Sequence, residues 1–245
     1  MNKAIIVMSA KGGVGKTTFS RFVGELHRRA KTGALLVDGD PTVGQFLKSL
    51  GTRGEDGFLL EPQPREGVAT FAFHGDERDR ERIADVLADE ADTVIIIDLP
   101  ASSLQYIERL EAETGFLGTL ASKLTIVTMI TPDEEARRDL ADAMTLVPGA
   151  THVAVLNRFF GDEDDWDDWT SSPTRTRLID AKGIEISLPR LKPRIADRLK
   201  KHHIGFFDGA NSAELNVLDR GRMQRWAVQA TEEIGPAFEA LGLKK

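Results

Sequence analysis

The 245-residue chain has no cysteine, a single tyrosine (Tyr106) and no long uninterrupted apolar run. Without cysteine there can be no disulfide, thiolate zinc site or thiolate-ligated iron–sulfur cluster. A membrane-spanning helix needs ~18 consecutive apolar residues, and no stretch reaches that. The apolar residues after Met1-Asn2-Lys3 stop before Lys11, too short for the core of a secretion signal, so the expected location is the cytoplasm. Basic residues do not dominate either: 32 Lys and Arg face 39 Asp and Glu, a net charge of -7. That balance excludes a globally basic nucleic-acid coat and leaves room for a local basic patch.

Short apolar runs recur along the chain. Ala4 to Met8, Ala34 to Val37, Val68 to Phe73, Thr93 to Ile97, Leu124 to Met129 and His152 to Leu156 are apolar on both faces. Strands buried between two helix layers look like this. Helical patterns alternate with them: Thr17 to Ala30, Glu77 to Glu90, and Asp133 to Leu146, the last opened by Pro132, Asp133 and Glu134. Strand then helix, repeated, predicts one α/β domain over residues 1–245, with a mostly parallel, doubly wound sheet flanked by helices on both faces. A chain of this size can bury a sufficient core without covalent staples.

The strongest local signal is Lys11-Gly12-Gly13-Val14-Gly15-Lys16-Thr17-Thr18, which follows a strand and opens a helix. That context defines a phosphate-binding loop. Glycines let successive N–H groups turn inward, and the helix N-terminus adds positive potential, so the loop forms an anion cradle. Lys16 is expected to reach the β- and γ-phosphates, Thr17 to ligate Mg²⁺, and Thr18 to support the α-phosphate side. Ala10 stands where the ordinary pattern has glycine, and Lys11 is an extra cation.

The string KGGVGKTT resembles the deviant Walker A motif of the ParA/MinD superfamily of P-loop ATPases. The resemblance implies bound ATP and Mg²⁺ and a homodimer formed around the nucleotide, with Lys11 reaching across to the partner's phosphates. Asp38-Gly39-Asp40-Pro41, at the end of the second strand, is similar to that family's first switch. It makes Asp40 the residue that orients the attacking water and gives Asp38 a water-mediated role at Mg²⁺. Ile95-Ile96-Ile97-Asp98-Leu99-Pro100 resembles the Walker B strand and second switch, which makes Asp98 a Mg²⁺ residue. By the same resemblance Asn157 reads the adenine edge and Pro189 packs on the base. The catalytic expectation is therefore Lys11, Lys16 and Asp40, and the nucleotide-binding expectation is Gly12 to Thr18 with Asn157 and Pro189.

Within the superfamily, cysteine-dependent carriers and Tyr-rich kinases do not fit this composition. What remains is a plasmid or chromosome partition ATPase or a close cousin, and the resemblance then implies slow, partner-stimulated ATP hydrolysis, nonspecific DNA binding and a small DNA-binding partner protein. The alternatives are an accessory ATPase of plasmid conjugation, since Val155 to Gly161 faintly resembles the TraL and StbB groups, or a biosynthetic phosphotransferase or ligase. The DNA-facing candidates are Arg190, Lys192, Arg194, Arg198, Lys200, Lys201, His202 and His203, with a second cluster at Arg220, Arg222 and Arg225. Runs of this kind also occur as plain solvated faces. Gly161 to Ser172 concentrates Asp and Glu around Trp166 and Trp169. It reads as an acidic surface loop (161–175), either flexible or a docking loop with aromatic anchors. Trp226, Ala230, Ile234, Phe238 and Leu241 recur at helical spacing, which predicts a C-terminal helical region (213–245) packed on the sheet.

Overall fold

A computed structural model describes residues 4–40, 43–71 and 93–244. Among the described residues seven strands form one sheet: β1 (Ala4–Met8), β2 (Leu35–Asp38), β3 (Val68–Thr70), β4 (Ile95–Asp98), β5 (Leu124–Ile130), β6 (Thr151–Asn157) and β7 (Ile184–Leu188). Their order is β3-β2-β4-β1-β5-β6-β7, and every pair is parallel. The helices are α1 (Lys16–Arg29), α2 (Gln45–Leu50), α3 (Leu104–Thr114), α4 (Phe116–Leu120), α5 (Glu134–Leu146), α6 (Asp167–Thr170), α7 (Pro173–Asp180), α8 (Pro193–Lys201) and α9 (Val217–Ile234).

Strand side chains alternate faces, and both faces are covered. Ile5, Val7 and Ile96 share one core with Phe19 and Phe22 of α1 and Trp226 and Ala230 of α9. Ala4, Ile6, Ile95 and Ile97 share the opposite core with Ile107 of α3 and Ala143 of α5. This is why β1 and β4 are apolar at every position, as a parallel strand between two helix layers must be. The chain crosses to opposite sides of β1, so a crevice opens at that strand's C-terminal end, where open α/β sheets take ligands.

The expected doubly wound sheet is present, with differences in detail. β3 ends at Thr70, so the reading of a strand through Phe73 runs past the observed element and partly outside the described residues. The predicted helix from Glu77 to Glu90 lies outside them altogether. β7 adds an edge strand with a mixed burial pattern, and its Glu185 carboxylate takes both the Trp169 indole and the Arg175 guanidinium. The acidic segment also differs from a flexible loop. Its carboxylates are exposed, but the backbone folds into a short 3-10 turn (Glu163–Trp166) followed by α6. Trp166 and Trp169 do not project as anchors. Both are buried in a third apolar cluster with Leu140, Leu156 and Leu178. The physical reason is amphipathicity over one tight turn, with acids outward and indoles inward.

Candidate functional site

β1 hands over to α1 through residues 9–15, directly above the crevice. Gly13 and Gly15 take φ of 76° and 100°, which side chains rarely adopt. Gly15 is constrained twice, because a Cβ there would lie 2.5 Å from the Asn157 amide nitrogen. Lys16 is buried and curls beneath the loop, donating to the Lys11 carbonyl at 3.0 Å and lying 3.5 Å from that of Ser9. Burial lowers the pKa of its ammonium, while Asp98, Asp139 and Asp40 pull it back up.

Two carboxylates stand side by side at the strand ends, since Asp38 of β2 is the register partner of Asp98 of β4. Asp98 accepts from the Thr17 and Ser20 hydroxyls, each at 2.7 Å. Burial raises its pKa to about 7 even though both hydroxyls favour the charged form. Asp38 accepts from the N–H of Asp40 at 3.0 Å and of Leu47 at 2.9 Å, and burial raises it too. Asp40 is half-buried, and its carboxylate accepts from the Val43 N–H at 3.3 Å. The segment after β4 is tied to the loop, because Ser102 donates from its N–H and hydroxyl to the Ala10 carbonyl at 3.0 and 3.3 Å.

Thr17, Asp98 and Asp38 offer hard oxygen donors only, which suits Mg²⁺. Two neighbouring buried carboxylates, one with its pKa raised to about 7, are an arrangement that a divalent cation would stabilise. Among the described residues no group of three or more His, Cys, Asp or Glu could hold a metal ion. A cation shared with phosphate oxygens needs no such cage.

Lys11 is half-exposed and ion-paired with Asp133 at 2.9 Å, which raises its pKa. Asp133 also accepts from the Thr131 hydroxyl at 2.9 Å and caps α5 through the Ala136 N–H at 3.1 Å. Burial pushes this carboxyl up, but the Lys11 contact and the two neutral donors outweigh it and hold it below its ordinary range. A residue that sequence reasoning missed sits two turns on. Buried Asp139 accepts from the Ala10 N–H at 2.7 Å and the Ser9 hydroxyl at 3.2 Å, gripping the start of the loop from outside. The signal was present, since Ala136, Asp139, Leu140 and Ala143 share one helical stripe and a carboxylate among them needs a partner.

A cavity of about 280 Å³ opens beside the loop, walled by Gly15, Thr18 and Arg21 on one side and by Leu191, Lys200 and Phe206 on the other. The two residues expected at the base are not among its walls. Asn157 donates to the Val14 carbonyl at 2.9 Å and accepts from the Phe159 N–H at 3.1 Å, so it braces the loop from beneath. Pro189 gives its carbonyl to the Trp226 indole at 2.8 Å and lines a separate depression of about 540 Å³ with Arg158 and Arg190. The expected basic patch is also divided. Arg194 and Arg222 both donate to Asp219 at 2.7 Å, Arg198 donates to the Glu214 carbonyl at 2.8 Å, and Lys200 belongs to the cavity. Lys201 and Arg225 are exposed, with no ion pair among the described residues.

Solved structures share this architecture. An ATP complex of McdA from Cyanothece aligns with a TM-score of 0.57 at 15% identity, covering 99% of this chain and 97% of that one. A ParA family ATPase from Chlorobium tepidum aligns with a TM-score of 0.54 at 16% identity, covering 93% and 98%. MinD from Pyrococcus horikoshii, complexed with Mg-ADP, aligns with a TM-score of 0.53 at 18% identity, covering 91% and 94%. The fold is that of the ParA/MinD type of P-loop NTPase. Among curated proteins the chain is similar to MobD of Acidithiobacillus ferrooxidans, 22% identical over 237 residues that span 96% of this chain and 97% of that protein. No protein-family model matches the chain.

Proposed function

We propose that the protein is an ATP-binding, slowly hydrolysing switch that dimerises around MgATP. The observation that carries this reading is the loop between β1 and α1. It combines two positive-φ glycines, a buried Lys16 folded beneath it, and Thr17 bonded to Asp98. Gly12 to Thr18 would cradle the phosphates, with Lys16 neutralising the terminal ones. Thr17 and Asp98, with Asp38 behind them, would hold Mg²⁺, which when bound supplies charge neutralisation at the phosphates. Asp40, half-buried just after β2, would orient the attacking water, as the likeness of its motif to ParA/MinD proteins implies. Half-exposed Lys11 is the group available to a second copy, as the likeness of its motif to ParA/MinD proteins implies.

The experiment is light scattering on the purified chain with and without MgATP, alongside the Lys11→Ala and Lys16→Ala variants. Nucleotide-dependent dimerisation of the wild type is expected. Lys16→Ala should lose nucleotide binding, while Lys11→Ala should bind nucleotide and stay monomeric. A Lys11→Ala variant that dimerises like the wild type would sink the trans role of that lysine. A part in partition with nonspecific DNA contact rests on cations that no described carboxylate neutralises, Arg198, Lys201 and Arg225 among them. Its signature is DNA affinity that needs ATP and falls steeply with salt.

A further inference from the structure

We propose that the nucleotide base stacks against Arg21, and that Glu25 is the positioning residue that holds Arg21 in place. The inference rests on the reading of the neighbouring loop as a triphosphate site and adds the half of the ligand that this reading leaves unplaced.

Arg21 lies four residues beyond Thr17 on α1, hence on the same helix face as the phosphate loop. It lines the cavity beside that loop. A guanidinium this buried is costly unless it is paired, and its Nε makes no hydrogen bond. Here it lies 4.5 Å from the centre of the Phe206 ring, donates to the Ile204 carbonyl and approaches the Glu25 carboxylate at 3.3 Å. Phe206 is braced in turn by Phe22 and Trp226 at ring-centre distances of 5.9 and 5.0 Å. The result is a planar cation laid against one aromatic ring and ion-paired with a carboxylate, at the wall of a cavity. A flat, weakly hydrated cation of that kind recognises the π-face of a purine, which a lysine ammonium does not do equally well.

Glu25 joins the two sides of the cavity. It sits on α1, yet accepts the N–H of Phe206 at 2.6 Å and of Phe207 at 3.4 Å from the opposite wall. Burial raises its pKa to about 7, Arg21 and the two N–H groups lower it, and Asp208 raises it. Arg28, Arg29, His203 and Asp208 line the adjoining depression with it. Between pH 6 and 8 the carboxylate therefore gains its charge, and with it a firmer hold on Arg21.

The test is calorimetric titration of the full chain with MgATP and, separately, with inorganic tripolyphosphate, at pH 8 and pH 6. Tripolyphosphate reads the loop alone, so the ratio of the two affinities isolates the base. At pH 8, Arg21→Lys is expected to weaken ATP roughly three- to thirtyfold while tripolyphosphate binding is unchanged, which also shows that the loop is folded. Glu25→Gln should abolish the pH dependence of the ratio seen in the wild type. Equal weakening of both ligands in Arg21→Lys, or no change in the ratio, overturns the inference alone. A wild type that binds neither ligand overturns the nucleotide reading and this inference with it.

Discussion

Trp169 separates two accounts of the acidic segment. If its indole were a docking anchor, truncation would spare the fold and abolish a partner contact. The structure instead buries it completely among Leu140, Leu156 and Leu178, with its Nε1 donating to Glu185 at 2.9 Å. Removing a buried aromatic side chain costs about 3–5 kcal/mol through lost transfer and the cavity left behind. The Glu185 carboxylate also loses a donor. Arg175 still holds it at 2.6 Å, so that loss lies near the low end of the usual ~1–3 kcal/mol. Trp169→Ala should therefore destabilise by roughly 4–6 kcal/mol, a large part of the ~5–15 kcal/mol available to a domain. For a chain of this length each kcal/mol lowers Tm by about 2–4 °C. Thermal melting followed by circular dichroism should show a drop on the order of 10–20 °C, with Trp169→Phe falling in between. A Trp169→Ala melt within ~2 °C of the wild type would refute the burial argument.

Gly15→Ala should abolish nucleotide binding, since the variant combines a φ of 100° with a Cβ pressed into the Asn157 amide; isothermal titration at wild-type affinity would contradict this. Asp133→Ala removes the cap of α5 and should cost about 1 kcal/mol in a urea melt. Stability should also carry the signature of Glu25, whose pKa is 4.5 in an ordinary setting and about 7 in the fold. The folded state holds the extra proton between those values, so this contribution is complete below the lower one and lost as pH rises through the upper. Relative to Glu25→Gln, the wild type should lose up to roughly 3 kcal/mol between pH 5 and pH 8 in urea melts, and parallel curves would exclude it. Chelating Mg²⁺ should weaken ATP binding in the wild type and much less in Asp98→Asn, as competition with a fluorescent ATP analogue would show.

The glycine-rich turn between β1 and α1 was legible because its pattern is local. Glycines, lysines and threonines must follow one another for the backbone to turn inward, and the apolar run before them marks the strand. The acid-ended strands β2 and β4 were legible for the same reason. β7 escaped because an edge strand is half-solvated, and Ile-Glu-Ile-Ser-Leu lacks the continuous apolar character of the inner strands. The tryptophans were obscured by their acidic neighbours, whose charge says nothing about which way an indole points. Arg21 and Glu25 carry no motif at all. Their partners Ile204 and Phe206 lie more than 180 residues away, so only the fold brings them together. Asn157 was recognisable as a strand-end amide, but its bond to the Val14 carbonyl depends on the close approach of the Gly15 backbone, which no local pattern shows.

The ion pair between Lys11 and Asp133 gives the lysine a resting place on its own molecule. Any outside anion that recruits Lys11 must first compete with that carboxylate. The same carboxylate secures the first turn of α5, and α5 in turn carries Asp139, whose grip fixes the opening residues of the loop. Asp133 thus touches both Lys11 and the first turn of the helix whose Asp139 binds the backbone of residue 10.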